Sequence, residues 1–218
     1  MTYSPDTQLF SSAMAAKPRK QSRAIATRQK ILVGASRVFD ASGYTAASIN
    51  DVVASTNLTK GALFYHFASK EAIAQVLVRG WSAAVHAVFA DASETGEPPL
   101  IQLRNVFMNL ARLVDSDLQL RAGMKLALEP GIEGAHPVYW WWVDTTSALV
   151  DENIGAEAVP SDPRRYRLAW NLCAGFIGAV QGGAVLREEV DLPTRVEDMI
   201  SAHLEFVHFG TDSADPRV

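Results

Sequence analysis

The chain has 218 residues, 48% of them hydrophobic and 20% charged, with a formal net charge of −4. That is enough apolar material to build a core, which excludes a disordered chain, and the length allows one large domain or two small ones. The single cysteine, Cys173, excludes an internal disulfide framework and fits a reducing compartment. The N-terminus is polar and carries Asp6 ahead of any apolar run, so no signal peptide is expected. No run approaches the roughly 18 apolar residues of a membrane span. A soluble cytoplasmic protein with no membrane partner is the expectation.

The net charge hides a split. Residues 1–70 hold nine Lys/Arg against three acids, a net of +6, whereas residues 71–218 hold eleven against twenty-one, a net of −10. A basic segment on an acidic remainder points to a polyanion partner for the first part only, or to a merely solvated charge run.

In chain order, residues 1–22 read as a disordered arm ending in the basic "KPRKQSR". "ATRQKILVGASRVFDASGY" then places Ile31, Leu32, Ala35, Val38 and Phe39 at helical spacing, with Gly43 where the helix stops. "SINDVVAST" opens a second helix with Ser48 and Asp51, close to a capping box. After a break at Thr56-Asn57-Leu58, Thr59 caps a third helix, "KGALFYHF". A longer helix starts at Ser69 and carries Ile73, Leu77, Trp81, Val85, Val88 and Phe89 on its apolar face. Five more helical stretches follow, beginning "PLIQLRNVF", "LQLRAGMKL", "VYWWWVDTT", "DPRRYRLAW" and "LPTRVEDMI". No period-2 strand is found. The fold class is all-α, about nine helices in two parts.

The second and third helices have the layout of a helix-turn-helix. The turn needs a residue that tolerates positive φ, and Asn57 is placed to supply it. Leu63 and Phe67, four apart, face the core together. Lys60, Phe64, Tyr65 and His66 then lie around the outer arc. Lys60 can reach a phosphate or a guanine edge, and Gly61 lets the backbone approach DNA, although an interior glycine costs a helix about 1 kcal/mol. A plain three-helix core is the alternative.

The stretch from about Ala26 to Ile73 resembles the DNA-binding domain of the TetR family of transcriptional regulators. "TRQKILVGASRVFDASGY", "SINDVVAST" and "TKGALFYHFASKEAI" carry the resemblance. It implies a homodimer that reads a pseudo-palindromic double-stranded operator with its third helix and binds a ligand in a helical C-terminal domain. The candidate DNA-contacting residues are Arg28, Ser48, Thr59, Lys60, Gly61, Phe64, Tyr65, His66 and Lys70. Lys17, Arg19, Lys20, Arg23 and Arg28 are placed to add phosphate contacts or a minor-groove arm. Three positions depart from the family pattern. Asn57 replaces the usual turn glycine, Ala47 replaces a threonine, and Phe64 stands where a tyrosine is usual, with Tyr65 one place later.

A narrower resemblance, to the γ-butyrolactone receptor branch, rests on "LRAGMKLA", then "HP" and a tryptophan four residues on. It implies a small lipophilic ligand of butyrolactone, butenolide or furan type and control of secondary metabolism. It makes Trp141 the ligand-packing residue. Trp81 and Gln181 are further ligand candidates. Trp140, Trp141 and Trp142 fan over about 200° of a helix, so they cannot all face one pocket; which of them does stays open here. Small residues at Ala174, Gly178 and Gly182, and at Gly175, Ala179 and Gly183, form adjacent stripes on the eighth helix. They permit close helix approach, either in a dimer or within one subunit.

No catalytic constellation is found. Cys173 has no charged neighbour within two positions, and His203 and His208, five apart, share no helical face. No enzyme activity, metal or cofactor is expected. The domains expected are a disordered basic arm over 1–22, the helix-turn-helix domain over 23–69, the ligand-binding and dimerisation domain over 70–210, and a disordered tail over 211–218. The function expected is that of a nucleoid-associated, ligand-responsive repressor. The alternatives are a pseudo-receptor or drug-responsive regulator with an unrelated ligand, and a small-molecule carrier without a DNA role.

Overall fold

The computed structural model describes residues 6–153, 163–186 and 189–209. Among these the chain forms nine α-helices and no strand, so the all-α expectation holds. They belong to two compact units, Met1–Ala74 and Gln75–Val218.

The first unit holds α1 (Asp6–Ala46), α2 (Ile49–Thr56) and α3 (Lys60–His66). Helical geometry breaks at Gly43, whose φ of 75° and ψ of 170° are open to a residue without Cβ. The stretch from Asp6 to Ser22, expected as part of a disordered arm, is helical. "SSAMAAK" is rich in good helix formers, and extending an existing helix adds one hydrogen bond per residue fixed. Residues 1–5 of that arm, and the tail 211–218, lie outside the described residues. The core of this unit is Ile31, Leu32, Ala35 and Phe39 from α1, Val52 from α2, Leu63 from α3, and Phe67, Ile73 and Ala74 beyond it, all buried. Each large side chain of this kind contributes roughly 1.5–3 kcal/mol on burial.

The second unit contains most of α4 (Lys70–Glu94), then α5 (Pro99–Ser116), α6 (Leu118–Leu126), α7 (His136–Asn153), α8 (Pro163–Leu186) and α9 (Leu192–Phe209). α4 starts in the first unit and continues through the second. By length and composition alone α4 could cross a membrane, which the sequence reading did not anticipate. Its apolar face is instead used in protein packing: Ile73, Leu77, Val78, Trp81, Val85, Val88 and Phe89 are all buried.

Asp117 starts α6 by accepting from the Gln119 and Leu120 amides at 2.7 and 3.3 Å. Gly123 on α6 is required by packing, because a Cβ there would overlap the Leu77 carbonyl of α4 and crowd Trp81. The glycine in "LRAGMKLA" is thus a contact between two helix backbones. Arg104 of α5 pairs with Glu197 of α9 at 2.7 Å. Both side chains are substantially exposed, so this pair adds only about 0–1 kcal/mol.

Candidate nucleic-acid interface and ligand site

α2 begins with a complete capping box. The Asp51 amide donates to Ser48 Oγ at 3.2 Å, and the Ser48 amide donates to Asp51 Oδ2 at 2.9 Å. Ser48 Oγ also donates to Asp51 Oδ2 at 2.6 Å. Those bonds from Ser48 hold the Asp51 carboxyl below its ordinary range. The hydroxyl proton of Ser48 is therefore committed to Asp51. Ser48, expected both as a helix cap and at DNA, is first a helix cap, since its proton is not free to donate to a phosphate oxygen.

α2 ends at Asn57 with φ 55° and ψ 30°, the one non-glycine residue at positive φ among those described. Thr59 caps α3 by accepting from the Ala62 amide at 3.1 Å, which leaves its own proton free to donate. Lys60 and Gly61 are exposed, and nothing lies within 4 Å of a Cβ built on Gly61. The fold itself does not need a glycine there. Phe64 is 44% and Tyr65 78% exposed, while Leu63 and Phe67 are buried. Tyr65 meets the half-buried His66 edge-on, with ring centroids 5.0 Å apart. Arg28 on α1 is exposed, and its guanidinium lies 5.0 Å from the centre of the Phe67 ring.

Lys70 is placed differently from the expectation. Its ammonium donates to the carbonyls of Tyr44 and Ala47 at 2.7 and 2.9 Å and sits 4.2 Å from the centre of the Tyr44 ring. A part-buried ammonium must be satisfied by acceptors, and these two carbonyls lie where α1 gives way to α2. Lys70 is a tie between α4 and that junction. Arg23 is exposed, while the side chains of Lys17, Arg19 and Lys20 lie outside the described part of the chain.

In the second unit the three tryptophans separate cleanly. Trp140 is 58% exposed. Trp141 is half-buried and stacks on His86 of α4, with centroids 3.6 Å apart and planes at 16°. It also meets Phe89 edge-on at 5.7 Å. Trp142 is fully buried and meets Trp81 at 5.8 Å and Phe176 at 5.4 Å, both edge-to-face. Phe107 and Tyr139 complete the cluster around it at 5.9 and 6.2 Å. Trp81 is thus brought together with Trp142, not with Trp141. Gln181 is exposed on α8, outside this buried cluster, so it does not line it.

Cys173 is buried and donates to Thr146 Oγ1 at 3.6 Å, and burial pushes its thiol up to about 12. It stays protonated and is not a nucleophile. Burial likewise pushes the Tyr139 phenol up to about 12, with smaller contributions from Cys173 and Tyr166. Among the described residues no cluster of three His, Cys, Asp or Glu could hold a metal ion.

A family model described as bacterial regulatory proteins of the tetR family matches residues 31–77, the helix-turn-helix and the start of α4. A crystal structure of a gamma-butyrolactone receptor, an ArpA-like protein, superposes with a TM-score of 0.68 at 28% identity. That match covers 81% of this chain and 85% of the receptor chain. Residues 31–77 form a TetR-family N-terminal domain. The TetR-family protein CprB of S. coelicolor A3(2) superposes with a TM-score of 0.69 at 27% identity, over 81% of this chain and 86% of that one. The A-factor receptor protein of Streptomyces griseus is 33% identical over 132 residues, which is 61% of this chain but 46% of that protein. The match therefore spans about half the length of that relative. These similarities agree with the γ-butyrolactone receptor branch, and such relatives are transcriptional regulators.

Two features of the chain escaped the sequence reading. The structural role of Lys70 depends on carbonyls 23 and 26 residues away, which no local pattern reveals. The burial of Trp142 had a signal: Trp142, Val143, Thr146 and Val150 recur at helical spacing and are all buried.

Proposed function

We propose that the chain is a ligand-responsive transcriptional repressor. As a homodimer it would hold a pseudo-palindromic operator, with one α3 in each of two successive major grooves about 34 Å apart. The observation that carries this reading is the outer face of α3. Lys60, Gly61 and Tyr65 are exposed together on a helix whose Leu63 is fully buried, so the fold uses one side of α3 and leaves the other for a partner. Arg28, Thr59, Phe64 and His66 flank that face.

The second unit would take a small lipophilic molecule, of lactone, butenolide or furan type, at the aromatic cluster around Trp81 and Trp142. A ligand there acts on α4 directly, because Trp81 stands on it. It releases DNA only if it binds the DNA-incompetent state better than the competent one. Dimerisation through α8 and α9 is supported by the exposed Tyr166 and Trp170, which share α8 with the small residues Ala174, Gly178 and Gly182. Catalysis has no part in this reading, and the protein acts in the cytoplasm on the nucleoid.

The test is a gel shift on the DNA upstream of the protein's own gene, repeated at rising salt and then with butyrolactone, butenolide and furan compounds. A retarded band that fades with salt and with one of these compounds is the expected result. No band even at low salt sinks the regulator and leaves a carrier protein. Release only by an unrelated drug sinks the lactone-type receptor.

A further inference from the structure

Phe64 is the one wholly apolar side chain that α3 leaves exposed, at 44%. Leu63 and Phe67 already supply the inward face, and both are buried. Tyr65 meets His66 edge-on, whereas Phe64 has no ring partner among the described residues. Packing within the first unit therefore leaves a large part of this ring in water. Lys60 and Phe64 are four residues apart, so they stand one above the other on a single strip of α3. Lys60 is exposed as well. Gly61, beside them, has no side chain to hold a partner off, and nothing lies within 4 Å of a Cβ built there. A DNA surface that takes the Lys60 ammonium thus also comes against the Phe64 ring.

What the ring can recognise there follows from what it lacks. A phenyl group has no hydrogen-bonding atom, so it makes no polar bond to a phosphate or to a base edge. Set against a polar edge it would strip water from a donor or acceptor and return nothing. Of the four bases, only thymine shows an apolar group in the major groove, its C5-methyl. The other apolar surface within reach is deoxyribose, which is the same at every position and carries no sequence information.

We propose that Phe64 reads a thymine methyl in each operator half-site. α3 then selects a T·A pair by apolar contact, next to the polar contact made by Lys60. This rests on the operator-binding role given above to α3, and it adds a base that the operator must contain.

The experiment uses the full chain and a duplex that it enriches from a random pool. Each thymine of the half-site is replaced in turn by deoxyuridine, which pairs in the same way and lacks only the methyl group. One thymine per half-site is expected to be sensitive. Losing its methyl should weaken binding about fourfold, the return of one methyl group to water. Phe64→Ala is expected to bind the thymine and uracil duplexes equally at that position, with an unchanged melting temperature because the ring is exposed. Tyr65→Ala is expected to keep the difference between the two duplexes.

The inference is overturned if the wild type binds every deoxyuridine duplex as tightly as the parent, which would put Phe64 against deoxyribose or off the DNA. It is overturned equally if the difference survives Phe64→Ala, or if Tyr65→Ala abolishes it instead. The deoxyuridine series needs only the wild-type chain, so it can overturn the inference even where a variant folds poorly. A chain that enriches no duplex at low salt sinks the repressor reading, and the thymine contact with it. A chain that holds DNA but ignores the methyl group sinks the thymine contact alone.

Discussion

Two runs of adjacent aromatic side chains sit at opposite ends of this chain's function: Phe64-Tyr65-His66-Phe67 in the first unit and Tyr139-Trp140-Trp141-Trp142 in the second. In the first run the two large exposed rings, Phe64 and Tyr65, stand on a helix too short to bury more than Leu63, with Phe67 turned inward just past its end. Among the three tryptophans of the second run exposure falls along the sequence, from an exposed Trp140 through the half-buried Trp141 to the fully buried Trp142. Aromatic content says little by itself. A ring on a short helix with one buried position is offered to a partner, whereas a ring on a helix packed by its neighbours becomes core or pocket wall. The lysines repeat the lesson: Lys60 is exposed on α3, and Lys70, ten residues on, is held by two carbonyls.

Substitutions test that contrast directly. Trp142→Ala has the largest expected effect, a loss of about 3–5 kcal/mol in denaturant unfolding, because it empties the centre of an aromatic cluster. Trp140→Ala, on the exposed side of the same helix, is expected to change stability by less than about 0.5 kcal/mol. Equal losses for the two would break the assignment of inside and outside on α7.

Lys70→Ala comes next. Removing the donor to two backbone carbonyls is expected to cost about 1–3 kcal/mol of unfolding free energy, while the salt dependence of operator binding stays as it was. Lys60→Ala should do the reverse. Its melting temperature is expected to hold, and the slope of log affinity against log salt should fall by about one phosphate contact. A Lys70→Ala protein that is stable but binds DNA with a shallower salt slope would return Lys70 to the interface.

Ser48→Ala removes the side-chain cap of α2 and is expected to cost about 1 kcal/mol by thermal melting. Any loss of operator affinity beyond that explained by stability would mean that the hydroxyl also meets a phosphate. The smallest effect is expected from Tyr65→Phe, which deletes one hydroxyl from an exposed ring. Operator binding should weaken only a few-fold, about 0.5–1.5 kcal/mol for one hydrogen bond, with no change in melting temperature. An unchanged affinity would shift the aromatic contact to Phe64.

Local sequence determined a good deal here. Ser48 and Asp51 three apart dictate a capping box, Asn57 dictates a left-handed turn, and the spacing of Leu63 and Phe67 dictates which side of α3 is inward. Each depends on groups within about one helical turn, so the pattern and the physics have the same reach. The family and its DNA-binding unit were legible for the same reason. What needed the tertiary structure was every choice made by a distant neighbour. The carbonyls of Tyr44 and Ala47 hold the Lys70 ammonium, and His86 on α4 stacks on Trp141. Trp81, Phe107 and Phe176, from three other helices, make Trp142 the buried member of its run. A helix shows its own faces in its sequence, but which face is covered depends on helices that lie tens of residues away.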